Sequence, residues 1–417
     1  MNCFSPLKFF VTECRLLMVG LWVLFPIMGQ AQNEYERCLQ KAGFENVAAY
    51  ASHDTLTATL ENTNYRGNYR GIGQAIKALS AYDAQIKVFR LLVQEYQKPQ
   101  VVVQATRTSE LWSVQVDYDT QQLEQQFITH RSATAARNEE MRTSTTGKID
   151  VVLHPIFSFD NHKLDKLAEV CFFLAPSIET TLWRGNRIYL QPIIPLAHNL
   201  TKSNPDRRVQ LGVLAVRQEW LNQKRWYLST TLGSFLYNRY GVNAELAYHY
   251  NHQLDFGVRL GLTGEQLLLP NKWQTTAPNK FHGMANVNFY HPATSLQAKL
   301  SAGSFVYGDI GVRADLVRHF GEFTVGVYGI YTDGEKNAGF NFALPLSTRR
   351  QLRRGQVRIR FPQYFTWEYS MLNYYRYAFE HMGQDYKERP DKSFTTHYWQ
   401  AAYLQQYITR FLNGVIR

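Results

Sequence analysis

Cysteine is scarce in this sequence, with four in 417 residues. Cys3 and Cys14 precede position 31, while Cys38 and Cys171 fall in different segments. A disulfide between Cys38 and Cys171 is allowed in an oxidising compartment, and two buried thiols are the plainer reading; no cysteine or histidine spacing resembles a metal-ligand set, so no metal and no cofactor are expected. Charge is thin as well, at 19% of residues. The formal excess of +11 is scattered and gathers only at Arg349-Arg350 and Arg353-Arg354. A nucleic-acid binder concentrates its cations on one element, so no nucleic-acid partner is expected. A cationic channel or a surface facing acidic glycans suits this charge better. Catalytic spacing is missing too. A lipid-modifying enzyme of an outer leaflet needs a serine and histidine with a polar support, and no serine stands at a suggestive spacing from His249, His252, His282, His291 or His319. The chain is read as non-enzymatic. Gly71-x-Gly73 lacks the third glycine of a dinucleotide fingerprint and has no parallel βαβ unit around it.

Long apolar runs are also absent after the N-terminus. No segment there approaches the ~20 apolar residues of a transmembrane helix. The first residues read as an export signal: Lys8 and Arg15 precede an apolar stretch from Leu16 to Met28, and Gly29-Gln-Ala31 supplies small residues at a cleavage site. Cleavage is expected after Ala31, with Gln32 opening the mature chain. No cysteine follows that site, which argues against a lipoprotein. A chain exported in this way can enter a membrane only as a closed barrel.

Aromatic residues are abundant, at 14% with 26 Tyr and 25 Phe, and mean hydropathy is −0.34. That profile suits aromatic-rich β-structure and excludes a helical-bundle membrane protein. From Ile149 onward apolar and polar residues alternate. In Val242-Asn-Ala-Glu-Leu-Ala-Tyr-His-Tyr250, apolar even positions flank Asn243, Glu245 and His249; Leu254 to Leu262, Leu296 to Leu300 and Ile310 to Leu316 repeat the pattern. Strand side chains alternate faces with period two, so each segment has one apolar and one polar face. About a dozen such strands are expected between 149 and 372, many of about 9–11 residues, the length of a tilted membrane strand. Tight turns alternate with longer polar gaps, and Trp220, Trp226, Tyr248, Tyr250, Tyr290, Tyr328, Tyr331 and Trp367 gather near strand ends as interfacial girdles do. The expectation is a mainly β chain whose antiparallel strands close a transmembrane barrel.

Residues 32–120 alternate helix, two strands, helix and two or three strands, which predicts a small α/β domain on the periplasmic side. Tyr65-Arg-Gly-Asn-Tyr-Arg-Gly71 offers Tyr65, Arg66, Tyr69 and Arg70 as candidates for a phosphate or sugar at a helix start; turn glycines and packing tyrosines are the plainer reading. Residues 121–148 form a polar linker, partly helical from Gln121 to Phe127. The tail, 373–417, reads as helical from Tyr374 to Gly383 and from Thr395 to Val415, and would plug the barrel or dock on it.

Ser301-Ala-Gly-Ser-Phe-Val-Tyr-Gly-Asp-Ile-Gly-Val-Arg-Ala-Asp-Leu-Val-Arg-His-Phe320 resembles the strand motif of YjbH-like exopolysaccharide outer-membrane proteins, with Gly308-Asp309-x-Gly311 and Arg318-His-Phe320 in the motif's places. Leu232 to Leu246 and Leu39 to Val47 continue the likeness. The resemblance implies an outer-membrane barrel with a periplasmic domain, linked to exopolysaccharide export or assembly. Its implied partners are outer-membrane lipid, the exopolysaccharide and periplasmic or lipoprotein components of an export machinery. The polar strand face supplies the lumen candidates Asn243, Glu245, His249, Asp255, Arg259, Asn286, Asn288, Gln297, Lys299, Arg313 and Asp315. They would meet a glycan, or fill a closed barrel that serves as an envelope scaffold.

Overall fold

The computed structural model describes residues 34–109, 111–134, 143–160, 168–200, 207–235, 238–269, 271–371, 381–391, 393 and 398–416. The export signal, the middle of the linker and most of the helix expected at Tyr374–Gly383 lie outside these residues. Residues 34–417 form one compact unit. The chain is mainly β, with two sheets and four α-helices among the described residues.

The first layer is built from α1 (Glu34–Ala42), β1 (Glu45–Ser52), β2 (Thr55–Glu61), α2 (Asn68–Tyr82), β3 (Val88–Glu95), β4 (Lys98–Thr108) and β5 (Leu111–Asp117). The strands make one sheet in the order β1-β2-β3-β4-β5, antiparallel except for β2 and β3, which run parallel across the α2 crossover. α3 (Gln121–Thr134) covers one face with Leu123 and Phe127 against Leu92. The other face carries α1, α2 and α4 (Ala401–Leu412), the last supplied from the far end of the sequence. Tyr403, Leu404, Tyr407, Ile408, Phe411 and Leu412 sit in the same core as Ile72, Ile76 and Leu91. The i, i+3, i+4 spacing of these tail residues does mark a helix, and its apolar stripe completes the N-terminal domain.

Close approach explains Gly73. A Cβ there would lie 2.3 Å from Phe411 Cδ1, so only glycine lets α2 and α4 touch. Gly71 is similarly pressed, with Asn62 Cγ 2.3 Å from a notional Cβ. The glycines of the Tyr65–Gly71 stretch thus serve packing.

The second sheet holds β6 (Ile149–Asp160), β7 (Glu169–Thr180), β8 (Asn186–His198), β9 (Gln210–Gln223), β10 (Trp226–Phe235), β11 (Arg239–His249), β12 (Leu254–Leu269), β13 (Lys272–Thr275), β14 (Lys280–His291), β15 (Leu296–Ser304), β16 (Ile310–His319), β17 (Thr324–Thr332), β18 (Glu335–Pro345), β19 (Val357–Arg360) and β20 (Tyr364–Ser370). Neighbours in sequence pair as antiparallel hairpins from β6 to β18, with β13 hanging from β12. The count exceeds the dozen expected, and one pair departs from the antiparallel expectation: β19 runs parallel to β6. The strand order begins at β19 and ends at β20. These two are separated by only three residues, Phe361 to Gln363, so the two ends of the sheet come together. There Trp367 Nε1 donates to the Phe157 carbonyl at 3.1 Å, although the backbone ladder itself stays open between β6 and β20.

The described hairpin ends fall into two groups. One end of the sheet carries the turns at 181–185, 224–225, 250–253, 292–295 and 320–323 and meets the first layer. Arg66 and Arg70 both bind Glu322 Oε1 there, at 2.7 and 2.8 Å, and Asn222 donates to Gln100 Oε1 at 2.7 Å. The opposite end, called the far end below, carries the 305–309 turn and the projecting β12–β13 hairpin.

Because α4 fills the core of the first layer, Leu404→Ala is expected to cost that layer about 2–5 kcal/mol while leaving the second sheet intact. Urea titration of the full chain, followed by limited proteolysis within residues 34–117, checks it: earlier cleavage there, with β-sheet circular dichroism unchanged, is the expected result.

Candidate functional site

The second sheet turns its polar face inward. Register brings the sequence candidates into rows across the strands. His249, Asp255, Asn288, Lys299 and Asp315 are successive cross-strand neighbours on β11, β12, β14, β15 and β16. Asn286 and Arg313 flank Ser301 in the next row of that face, and Glu245 faces Arg259 in another. Directly opposed side chains are the closest contacts a sheet offers, so opposite charges there neutralise each other. Glu245 lies 3.5 Å from Arg259 and 3.8 Å from Arg217. His249 Nδ1 meets Asp255 Oδ1 at 2.7 Å and its ring stacks flat on Tyr118 of the first layer, 3.8 Å between centroids. Asn288 donates to Asp255 and accepts from Gln297. Asn243 Oδ1 accepts from His282 Nε2 at 3.1 Å. Arg313 forks onto Asp315, reaches Glu368 at 3.0 Å, and lies over the Tyr328 ring. Asn286 lies against the backbone of Gly257.

Rows between these point outward and are apolar. Leu232, Val242, Leu262 and Phe281 form one such row and are 43–64% exposed. Tyr248, Phe256, Val287, Leu300 and Ala314 form another. In a water-soluble sheet the burial would be the reverse.

What lies against the polar face is part of the tail expected to plug or dock, residues 381–391, here called the strap; it is not helical, unlike the expectation through Gly383. Gly383 N donates to Asp309 Oδ2 at 2.8 Å, and Val306 N donates to the Gln384 carbonyl at 3.2 Å. Met382 packs among Met284, Phe305, Tyr328 and Ile330. Asp385 takes Arg259 at 3.0 Å, with Lys299 at 3.9 Å. Tyr386 stacks over His282 and crosses Phe235 edge-on. Glu388 receives Arg217 Nη1. Side chains from β9 to β17 therefore converge on eleven consecutive residues, which requires the sheet to curl strongly around them. The charges of Gln384-Asp-Tyr-Lys-Glu-Arg389 were the available signal: unlike a solvent-facing tail, they can pair one by one with the strand charges.

At the junction with the first layer lies a cavity of roughly 100 Å³. Arg353, Arg358 and Arg360 converge there on Asp150, and Arg187 holds Glu179 at 2.7 Å. Ser177 bridges His154 and Glu179, donating to the carboxylate at 2.7 Å. This is not a nucleophile relay, because the serine stands between the other two and is fully buried. The four residues Tyr65, Arg66, Tyr69 and Arg70 do not converge on a ligand pocket. Arg66 and Arg70 close on Glu322, Tyr65 OH donates to the Ala42 carbonyl, and Tyr69 packs between Tyr403 and Tyr407. Among the described residues no group of three or more His, Cys, Asp or Glu is placed to hold a metal; Cys171 is buried as expected, while Cys38 is only partly buried.

No family model matches the sequence, and no curated protein matches it.

One acid of the junction controls stability with pH. Glu61 is buried in the first layer and accepts from Tyr96 N, Gln97 N, Asn46 and Thr145. Burial pushes its carboxyl from 4.5 up to about 7, against the pull of those donors. The folded chain therefore holds a proton there that the unfolded chain releases. The stabilisation is complete below pH 4.5 and disappears as pH rises through about 7. Relative to Glu61→Gln, the wild type is expected to lose about 2–3 kcal/mol between pH 4.5 and 8, measured by urea unfolding of both proteins across that range.

Proposed function

We propose that residues 149–371 form a β-barrel of the outer membrane, with residues 34–120 and α4 on its periplasmic side. The protein takes part, without catalysing a reaction, in export or assembly of a surface exopolysaccharide. The observation that carries the membrane reading is the inverted sheet. Leaving a large apolar side chain in water forgoes about 1.5–3 kcal/mol each, and contiguous exposed apolar surface marks contact with something apolar. Here that surface runs across neighbouring strands from Leu232 to Val312, while ion pairs and amides fill the opposite face. Lipid is the solvent for which such a sheet is correctly folded. A membrane sheet must also have no free edge, and the meeting of β19 and β20 brings its edges to one place. Trp220, Trp226 and Tyr250 sit at the end beside the first layer and Trp273 and Phe281 at the other, with exposed rings at both interfaces. Tight turns on the first-layer side agree with a periplasmic orientation.

The glycan part rests on the resemblance of the Gly308-Asp309-x-Gly311 strand to exopolysaccharide outer-membrane proteins. A second reading is favoured by the strap. Residues 381–391 occupy the interior, so in this conformation the barrel is closed and acts as a scaffold for envelope partners at its periplasmic layer.

Two measurements test these readings. Leu300 stands midway along β15 on the apolar face and is half exposed. In a bilayer, Leu300→Arg is expected to destabilise by about 2–4 kcal/mol; on a water-facing surface the same change stays within about 0.5 kcal/mol. Urea unfolding of the protein in phospholipid vesicles decides between them. Deleting the gene is expected to lower surface polysaccharide, and unchanged polysaccharide would overturn the glycan role while leaving the barrel standing.

A further inference from the structure

We propose that the strap is an autoinhibitory plug released from one side: residues 381–389 leave the interior through the far end of the barrel while α4 stays docked. This rests on the barrel reading above.

The two anchors differ in kind. At the first-layer end, α4 buries Tyr403, Leu404, Tyr407, Ile408, Phe411 and Leu412 in the core. Its N-terminal residues are tied down too: Ala401 N donates to Tyr118 OH and Ala402 N to the His252 carbonyl, both at 2.8 Å. Burial of six large side chains is an anchor that water cannot compete with. The strap itself contributes only two large apolar side chains to sheet clusters, Met382 and Tyr386. Its other attachments are mostly ionic or polar, Asp385 to Arg259, Glu388 to Arg217, the Gly383 amide to Asp309 and the Gln384 carbonyl to Val306 N, with one ring contact of His381 on Tyr307. Buried ion pairs return little more than their desolvation cost, so this half is held close to balance. A hydrated channel would solvate the same groups once the strap had left, and Glu245, already between Arg217 and Arg259, would remain as their partner.

Asp309 is the latch. One oxygen accepts from both Thr332 Oγ1 and Gly383 N, at 2.7 and 2.8 Å, while Oδ1 is buried with no hydrogen-bond partner among the described residues. An unpaired carboxylate oxygen in a buried site is costly, so the latch holds by geometry with little energy in reserve. The turn that carries it is fixed from both sides. Gly308 has φ +97°, a left-handed conformation that glycine adopts freely, and Phe305 N donates to the Asp309 carbonyl at 2.8 Å. At Gly311 a Cβ would stand 2.1 Å from the Tyr331 carbonyl, so the strand can lie close to β17 only as glycine. The Gly-Asp-x-Gly motif thereby acquires a mechanical role: it sets a carboxylate where it grips the plug.

Single-channel recording of the full-length protein in planar phospholipid bilayers tests this. Wild type should be closed for nearly all of the record. Asp309→Ala should raise open probability at least tenfold, and Asp385→Asn with Glu388→Gln should do the same. Phe411→Ala, which loosens α4, should leave it within about twofold of wild type. To guard against misfolding of the latch variants, Val306→Cys with Gln384→Cys ties strap to turn. That protein, combined with Asp309→Ala, should be silent when oxidised and conduct after dithiothreitol. Latch variants that insert, protected from protease in vesicles, yet remain silent would overturn the plug and leave the barrel intact. Opening by Phe411→Ala equal to that by Asp309→Ala would overturn the one-sided release. Failure of every variant, wild type included, to insert would overturn the barrel reading itself.

Discussion

A sheet that buries its polar face must satisfy every charge it buries, and that requirement governs the rest of this structure. Arg217 is about 1% exposed, and a guanidinium in such a place is tolerable only with carboxylates around it. Neighbouring strands supply part of the compensation: Glu245 faces Arg259 and is shared with Arg217. The remainder comes from Asp385 and Glu388, which belong to no strand. The strap is therefore needed by the interior as it stands, and the last part of the chain must run along the sheet before it reaches its own folding partner. Burial of the tail helix follows from the same route, since the strap ends beside the first layer, where α4 finds α2 and β5.

This routing joins the two layers more firmly than the contacts between them would suggest. The first layer lacks one helix until the strand sequence has been completed, and Gly73 is shaped for that helix. Glu322 collects Arg66 and Arg70, and Asp150 collects Arg353, Arg358 and Arg360. The basic residues that looked scattered in sequence are gathered by folding onto single carboxylates at the junction.

How much could be seen beforehand follows from the range of the signals. Strands such as Trp226–Phe235 and Leu296–Ser304 announce themselves because alternation is local, and the polar residues they display were the ones that meet on one face. Row partners were invisible, because register depends on turns whose exact lengths composition does not give. The parallel β19 was missed for a related reason: Gln356 to Tyr369 reads as one strand, and only the break at Phe361-Pro-Gln363 lets its halves pair with opposite ends of the sheet. The strap was hidden by ambiguity. Its charges look like those of a solvated tail or helix, and the fact that decides otherwise, the position of Arg217, Arg259 and Asp309, lies more than seventy residues away. Arg66 and Arg70 left two readings open, an anion at a glycine-framed helix start or plain packing, and both guanidinium groups close on Glu322, 252 or more residues away in sequence.

Alternation along the strands of the second sheet also distributes its polar groups. An enzyme concentrates perturbed groups at one concave spot with room for a substrate. Here the polar groups are spread in rows and many are paired across strands, and the His154-Ser177-Glu179 cluster has its serine in the middle and fully buried. The strap takes part in that pairing: Asp385 meets Arg259 and Glu388 meets Arg217, so the interior charges are matched in part by a segment that no strand supplies.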